Sequence, residues 1–407
     1  MKSIEFKEAT LPNGLTIQAE VVPTAMTAAT GFFFRTGARD ETTAAMGVSH
    51  FLEHMMFKGT DRRSAEDVNR ELDDLGASHN AWTTAENTAY FVHTPYDVIH
   101  EAMDVLGDIL RPALRSEDFA EEQQVILEEI AMYADQPFWV LYEAALERFY
   151  GTNPLSHRVL GTVDTVSALT PEVMRSYFND RYSADNCILA ASGRIDFDRL
   201  VAQAEELCGH WPTTNPSRSF QAIDFAPGEL EVAMPEGTRQ RYMAILFPSV
   251  GTNDELRYAA GQLAHCVGDA EGSNLFWKLV ETGLAEEAQV HFDGRDKCGE
   301  MAVTIVCDPK NAEDVESITR EELLNAGDRV DEDALLRSRA KIATAAMLAS
   351  ERPMGRMSRL GVRWTYQLPY RTLDQELETI GAITIDDMRQ YIGKYPFDGS
   401  LVARGGG

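Results

Sequence analysis

A chain of 407 residues with 44% hydrophobic and 25% charged residues is long enough for two ordinary domains and has the composition of a folded globular protein, which excludes a disordered or fibrous one. Its 37 basic against 65 acidic residues give a net charge of -28, which argues against nucleic acid, whose phosphates need lysine and arginine to neutralise them. No apolar run can span a bilayer, and MKSIEFKEATL lacks a signal-peptide core, so a cytoplasmic protein without a membrane span is expected.

The five cysteines form no CxxC pair and read as reduced thiols. The acidic excess reads as a solvated surface, or as a preference for basic peptides if it lines a cavity. Leu11-Pro12-Asn13-Gly14-Leu15 then carries an Asn-Gly hairpin signal between two strand-like runs. The apolar run Ala28–Phe34 predicts a buried strand, closed by Thr36-Gly37.

Next comes GVSHFLEHMMFKGT, Gly47–Thr60, centred on His50-Phe51-Leu52-Glu53-His54. On a helix of about 100° per residue, His50 and His54 lie roughly 40° apart and Glu53 stays within the same ~100° arc. Two imidazoles and a carboxylate on one face suit Zn²⁺. A catalytic zinc site takes three protein ligands and leaves one position open. The order histidine-x-x-glutamate-histidine is that of the inverted zinc peptidase motif. The stretch supplies two ligands and a spare carboxylate, and the third ligand must come from elsewhere.

A helix follows from Ser64 to Leu75, with Ser64 and Asp67 as a capping pair. Two strands, His79–Thr84 and Asn87–His93, precede a helix from about Tyr96 to Leu110. Ser116–Ala134 reads as a long acidic helix carrying Glu117, Glu121, Glu122, Glu128 and Glu129, several of which could serve as the third ligand. A helix over Val140–Tyr150, another beginning at Thr170–Tyr177, a strand at Cys187–Ser192 and a helix at Asp196–Cys208 complete this half. Thr213–Gly228, with Asn-Pro and Pro-Gly, reads as a linker, giving domains at 1–212 and 229–407 around a linker at 213–228.

Beyond the linker the first half recurs. Thr170/Thr384, Met174/Met388, Arg175/Arg389 and Tyr177/Tyr391 all lie 214 positions apart. Phe32–Glu41 aligns with Leu246–Glu255 through Gly37/Gly251, Asp40/Asp254 and Glu41/Glu255. Ser116–Asp135 aligns with Asp331–Ser350 at nearly the same spacing. Three segments at one offset predict a duplicated domain. At offset 214, His50, Glu53 and His54 fall on Ala264, Val267 and Gly268, so the second copy keeps the pattern and drops the polar set. The chemistry is expected in the first half only.

Together these residues resemble the insulinase, or pitrilysin, zinc peptidases, and in particular the short-subunit branch that includes mitochondrial processing peptidase. That family follows its motif with a glutamate ligand on a later helix and a second glutamate seven residues before it. Here Glu129 stands 74 intervening residues beyond His54, with Glu122 seven before it. The resemblance therefore implies Zn²⁺ held by His50, His54 and Glu129, one ion per chain, with Glu122 supporting a ligand. Glu128, adjacent to Glu129, points ~100° away. His79-Asn80-Ala81-Trp82-Thr83 is similar to the family's Asn-Ala-x-Thr edge strand. By that likeness Asn80, Ala81, Trp82 and Thr83 would bind substrate through main-chain pairing. PLSHRVLGT and the run Arg181–Asn186 also look familial. The second half departs from the pattern: Val280 and Glu286 stand where a substrate-contacting Arg and Tyr are expected.

The resemblance implies a zinc metalloendopeptidase with Glu53 as general base, acting on peptides or unfolded polypeptide inside a clamshell. Its fold would be α/β (α+β), two tandem homologous two-layer domains, each a mostly antiparallel mixed sheet with helices on one face. The chain would pair as a homodimer, or as a heterodimer with a related chain that supplies the missing Arg/Tyr pair. The alternatives are a non-catalytic scaffold subunit of the same fold, against which the intact metal set speaks, and a peptide-binding or chaperone-like module. Beside the motif, His79, His93, His100, His157 and His210 read as structural, and His265, Cys266 and His291 lack ligand spacing.

Overall fold

The computed structural model of the chain describes residues 4–221, 223 and 225–407. These form two compact units. One comprises the chain up to Ile130, His157–Ser219 and Leu348–Tyr370; the other comprises Ala131–Ser156, Phe220–Met347 and Arg371–Gly407.

The first unit is built on six strands, β1 (Glu5–Thr10), β2 (Thr16–Val21), β3 (Thr27–Phe34), β4 (Ser78–Thr83), β5 (Thr88–Pro95) and β6 (Cys187–Gly193). Their order is β1-β2-β6-β3-β5-β4, with only the β2–β6 pair parallel. The Asn-Gly signal is the β1–β2 turn, where Gly14 takes a φ of 93° that L side chains avoid. Seven of the eight residues of β3 are buried, as a strand covered on both faces requires. One face packs on the helices Val48–Met56, Ile99–Ile109 and Phe197–Cys208 through Phe32, Phe34, Phe51, Leu52 and Tyr90.

The second unit has five strands, β7 (Gly228–Val232), β8 (Arg241–Ser249), β9 (Ala285–Gly294), β10 (Gly299–Cys307) and β11 (Leu401–Gly405), in the order β7-β11-β8-β10-β9. Again only the β7–β11 pair is parallel. The expected repeat is visible in the elements themselves: β6 begins at 187 and β11 at 401, 214 apart. Thr170 and Thr384 each cap a helix, accepting from the amides of Val173 and Asp387. Tyr177 and Tyr391 each bond a hydroxyl at the end of the central strand, Thr36 at 2.9 Å and Ser249 at 2.7 Å.

The fold class is the expected one, two mixed, mostly antiparallel sheets layered with helices. Each sheet also carries a helix on its other face, contributed by the opposite sequence half. Pro353–Thr365 packs Met357 and Leu360 against Phe33, Ala89 and Ile188 of the first sheet. It is tied there by Arg356 and Arg359, which bond the buried Glu20 at 2.7 and 2.5 Å. In the second unit, Tyr150 of the helix Pro137–Tyr150 bonds the buried Glu300 of β10. A single cut at 213–228 therefore does not describe the compact units. Ala222 and Asp224 of that stretch lie outside the described residues. Its early part is held on the first unit by Arg218, which bonds Asp40 at 2.7 and 3.0 Å, and by Asp185, which accepts from the amides of Thr214 and Asn215.

Candidate metal centre

The motif helix Val48–Met56 begins after Gly47, whose φ is 95° and where a Cβ would come within 2.7 Å of the Leu160 carbonyl. Glycine is required there. Two amides at this helix start are answered by one distant side chain. Glu41 accepts from Gly47 N at 2.8 Å and from Ser49 N at 2.7 Å. Burial pushes the Glu41 carboxyl up to about 8, while the bonds from Ser49 and Gly47 pull it the other way. Val48, Phe51, Leu52 and Met55 enter the core, which leaves His50, Glu53 and His54 directed at the acidic helix and at β4.

The acidic helix runs Ser116–Ala134 and buries Phe119, Glu122 and Ile126. Seven residues are nearly two turns, so Glu129 shares the face of Glu122, while Glu128 is exposed. Glu129 Oε2 lies 3.7 Å from His50 Nε2 and 3.7 Å from His54 Nε2. One donor atom from each of the three residues falls within 4.8 Å of the others, the one such group among the described residues.

The donor set fits a zinc ion. Nitrogen and oxygen ligands at about 2.0–2.2 Å from a tetrahedral ion stand about 3.3 Å apart, so donors at 3.7 Å need only small rotations to close on one centre. Burial and the neighbouring His54 push His50 down to about 4, which keeps it as the neutral imidazole that ligates metals. His54 places Nδ1 2.7 Å from Glu122 Oε1, so that nitrogen carries the proton and Nε2 is free toward Glu129. Burial lowers the His54 pKa, but Glu122, Glu129 and Glu53 outweigh it and leave it raised. Glu122 is pushed up by burial and held below the usual range by His54 and by Lys58, with which it also forms an ion pair.

Glu53 sits on the same helix and is raised by burial, against a hydrogen bond from Thr83 and the charge of His54. The Thr83 hydroxyl donates to Glu53 Oε2 at 2.6 Å. Of the four strand residues expected at substrate, Thr83 thus reaches the catalytic candidate directly. Trp82 points to the opposite face of β4, where it packs on Phe33 and Phe91 at 5.7 and 5.1 Å between centroids. β4 is an edge strand. At its open edge the Ala81 amide bonds the Asn80 side-chain oxygen at 2.9 Å instead of β5.

The second half shows why the copy holds no such group. Gly268, the counterpart of His54, lies where a Cβ would meet Val290 of β9 at 2.3–2.6 Å, so helix Arg257–Gly268 closes on its strand with no space for an imidazole. Val280 is packed against the core of that unit, and Glu286 accepts from Gln240 at 2.5 Å. Three contacts lay beyond the sequence reading: Glu41 on the helix start, Thr83 on Glu53, and Lys58 on Glu122. Lys58, four residues after His54, had helical spacing as a signal; Glu41 had only its alignment with Glu255.

The family description "Insulinase (Peptidase family M16)" matches residues 16–163, and "Peptidase M16 inactive domain" matches residues 168–342. A zinc protease of Streptomyces coelicolor is 33% identical over 396 residues, covering 94% of this chain and 85% of its own length. The mitochondrial-processing peptidase subunit beta of Saccharomyces cerevisiae is 34% identical over 206 residues, 50% of this chain and 44% of its own. The fold matches that of a protease from Helicobacter pylori with a TM-score of 0.90 over 100% of both chains, at 16% identity. No helix among the described residues is long and apolar enough to cross a membrane. With matched segments covering most of its length and the histidine-x-x-glutamate-histidine helix within them, the chain belongs to the insulinase family of peptidases, family M16.

Proposed function

We propose that this chain is a zinc-dependent endopeptidase that hydrolyses extended or unfolded polypeptide segments, with His50, His54 and Glu129 as the metal ligands. The observation that carries the reading is the convergence of Glu129 Oε2 on both histidine Nε2 atoms at 3.7 Å, across 74 intervening residues. Zinc, when bound, supplies a Lewis acid for the scissile carbonyl and acidifies water.

The protein's own groups do the rest. Glu53, its pKa raised by burial, takes a proton from the attacking water and delivers it to the leaving amine. Thr83 holds one Glu53 oxygen, so the other is the one that works. Glu122 fixes the tautomer of His54, and Lys58 fixes Glu122. The free edge of β4 offers main-chain pairing to an extended peptide, which asks little of its sequence. That pairing aligns the peptide beside Glu53 and lowers the entropic part of the barrier.

The active form is proposed to be a dimer, a homodimer or a pair with a related chain, enclosing substrate in a chamber. Val280 and Glu286 offer neither the cation nor the phenol of the family's clamp, so contacts of that type fall to a related chain in a heterodimer, and a homodimer recognises substrate differently. The test is metal content together with hydrolysis of an unstructured peptide, with and without chelator, at a measured native mass. One zinc per chain and chelator-sensitive cleavage are expected. A folded protein that takes up no zinc, or cleavage that is equal after chelation, overturns the reading.

A further inference from the structure

The duplicated halves allow each support of the motif helix to be sorted into fold or site. The tyrosine contact to the end of the central strand is common to both, Tyr177 with Thr36 at 2.9 Å and Tyr391 with Ser249 at 2.7 Å, while Ser49 of the motif helix, which Tyr177 also bonds at 2.8 Å, falls on Leu263 in the second half. The strand-end contact belongs to the shared fold. The glutamates 214 apart, Glu41 and Glu255, behave differently. Glu41 is buried, with its two oxygens on the amides of Gly47 and Ser49. Glu255 is 77% exposed and faces Arg371 at 3.7 Å.

The helices they precede also start differently. Arg257 opens the second-half helix, and its counterpart at offset 214 is residue 43, yet the motif helix begins only at Val48. In the metal-bearing half, Thr43–Ala45 is a separate short turn and Gly47 breaks the chain with its positive φ. That opened first turn leaves amides that an ordinary helix start would satisfy locally. Glu41 satisfies two of them, one on Gly47 and one on Ser49, the residue directly before His50. A late helix start with a buried carboxyl pinned to it occurs in the half with the ligands and not in the half without them.

We infer that Glu41 is a positioning residue for the metal centre: it fixes where the motif helix begins and so the pose in which His50 and His54 are presented. The inference rests on the zinc reading of His50, His54 and Glu129 and adds to it a group that touches neither metal nor substrate. Loss of supports of this kind weakens metal affinity by about 10- to 100-fold.

The test compares wild type with Glu41→Gln, Glu41→Ala and, in the other half, Glu255→Ala. Zinc ion is titrated in competition with a colorimetric chelator, with thermal unfolding of each zinc-free protein and peptide kcat and KM measured alongside. Expected are a zinc affinity about tenfold or more weaker in Glu41→Ala, a smaller loss in Glu41→Gln, which keeps the shape and one acceptor, and no change in Glu255→Ala. In the glutamate variants kcat should fall with KM little altered. If wild type binds no zinc, the metal reading itself fails. If wild type binds zinc and folded Glu41 variants match it within twofold, or show only a lower melting temperature, the positioning role is overturned. Should Glu41→Ala fail to fold, the isosteric Glu41→Gln decides by the same criterion.

Discussion

At the scale of single residues, the division of labour among the carboxylates follows from where each is held. Glu129 faces two imidazole nitrogens, Glu122 faces the back of one imidazole, and Glu53 faces a hydroxyl on β4. Glu53→Gln keeps the shape and the Thr83 bond but removes the basic oxygen. It should retain zinc and lose peptide hydrolysis by about 10²- to 10⁴-fold, measured as kcat/KM against metal content. Turnover within a few-fold of wild type would take Glu53 out of the proton transfer. His50, Glu53 and His54 were legible in the sequence because helical geometry fixes their relation within one turn. Glu129 was legible only through resemblance, since the residues alone left several acidic positions open. Thr83 was expected at substrate and its bond to Glu53 was not, because a contact between a strand and a helix 30 residues apart has no local signature.

At the scale of elements, β4 is expected to act through its backbone. Its open edge includes the Ala81 amide, which bonds Asn80 and not β5. Ala81→Pro removes that donor without removing a ladder bond, so peptide KM should rise about tenfold or more, at a thermal midpoint close to wild type. An unchanged KM would show that substrate does not use this edge. The capping pair Ser64/Asp67 was read correctly because it is local, three residues apart, with both reciprocal bonds present. The helix expected from Tyr96 instead starts at Ile99, because the Pro95 turn that precedes it is set by tertiary contacts that composition does not show.

Helices Ala65–Asp74 and Ile99–Ile109 are joined by Arg63, which bonds Asp104 at 2.6 Å and Asp108 and Glu71 at 3.0 Å each. Burial raises the Asp104 pKa, but Arg63 and Arg62 outweigh it and hold the carboxyl below the usual carboxylate range. A folded-state pKa below the unfolded one gives stability that is present above the unfolded value and lost as pH falls through the folded one. Between roughly pH 5 and pH 3 the wild type should therefore lose urea resistance faster than Arg63→Met, whose midpoint starts lower. Parallel slopes would contradict the assignment.

For the whole molecule, the notable feature is that each sheet is completed by a helix from the other half of the sequence. The linker signal at 213–228 was real as composition, yet the chain crosses between units again near 131, 157, 348 and 371. The crossings near 131 and 348 lie inside helices, where no break in pattern marks them, and those near 157 and 371 sit beside Pro154 and Pro369, which read as ordinary loop signals. The packing is close: a Cβ at Gly361 would stand 2.3 Å from the Phe33 ring, whereas nothing lies within 4 Å of one at Gly381. Glycine to alanine should thus act with opposite signs. Gly361→Ala should cost about 1–3 kcal/mol through overpacking, and Gly381→Ala should gain about 0.4–1 kcal/mol through reduced unfolded-state freedom. Urea unfolding of both variants checks this, and equal effects would mean that the exchanged helix does not sit on the first sheet as described.

The central claim is the meeting of His50, His54 and Glu129 on one ion, and zinc-edge X-ray absorption of the zinc-loaded protein tests it most directly. Four or five nitrogen and oxygen scatterers at about 2.0–2.2 Å, with the signature of two imidazoles, are predicted. Sulfur at about 2.3 Å, a single imidazole, or an unchanged spectrum in Glu129→Gln would contradict it.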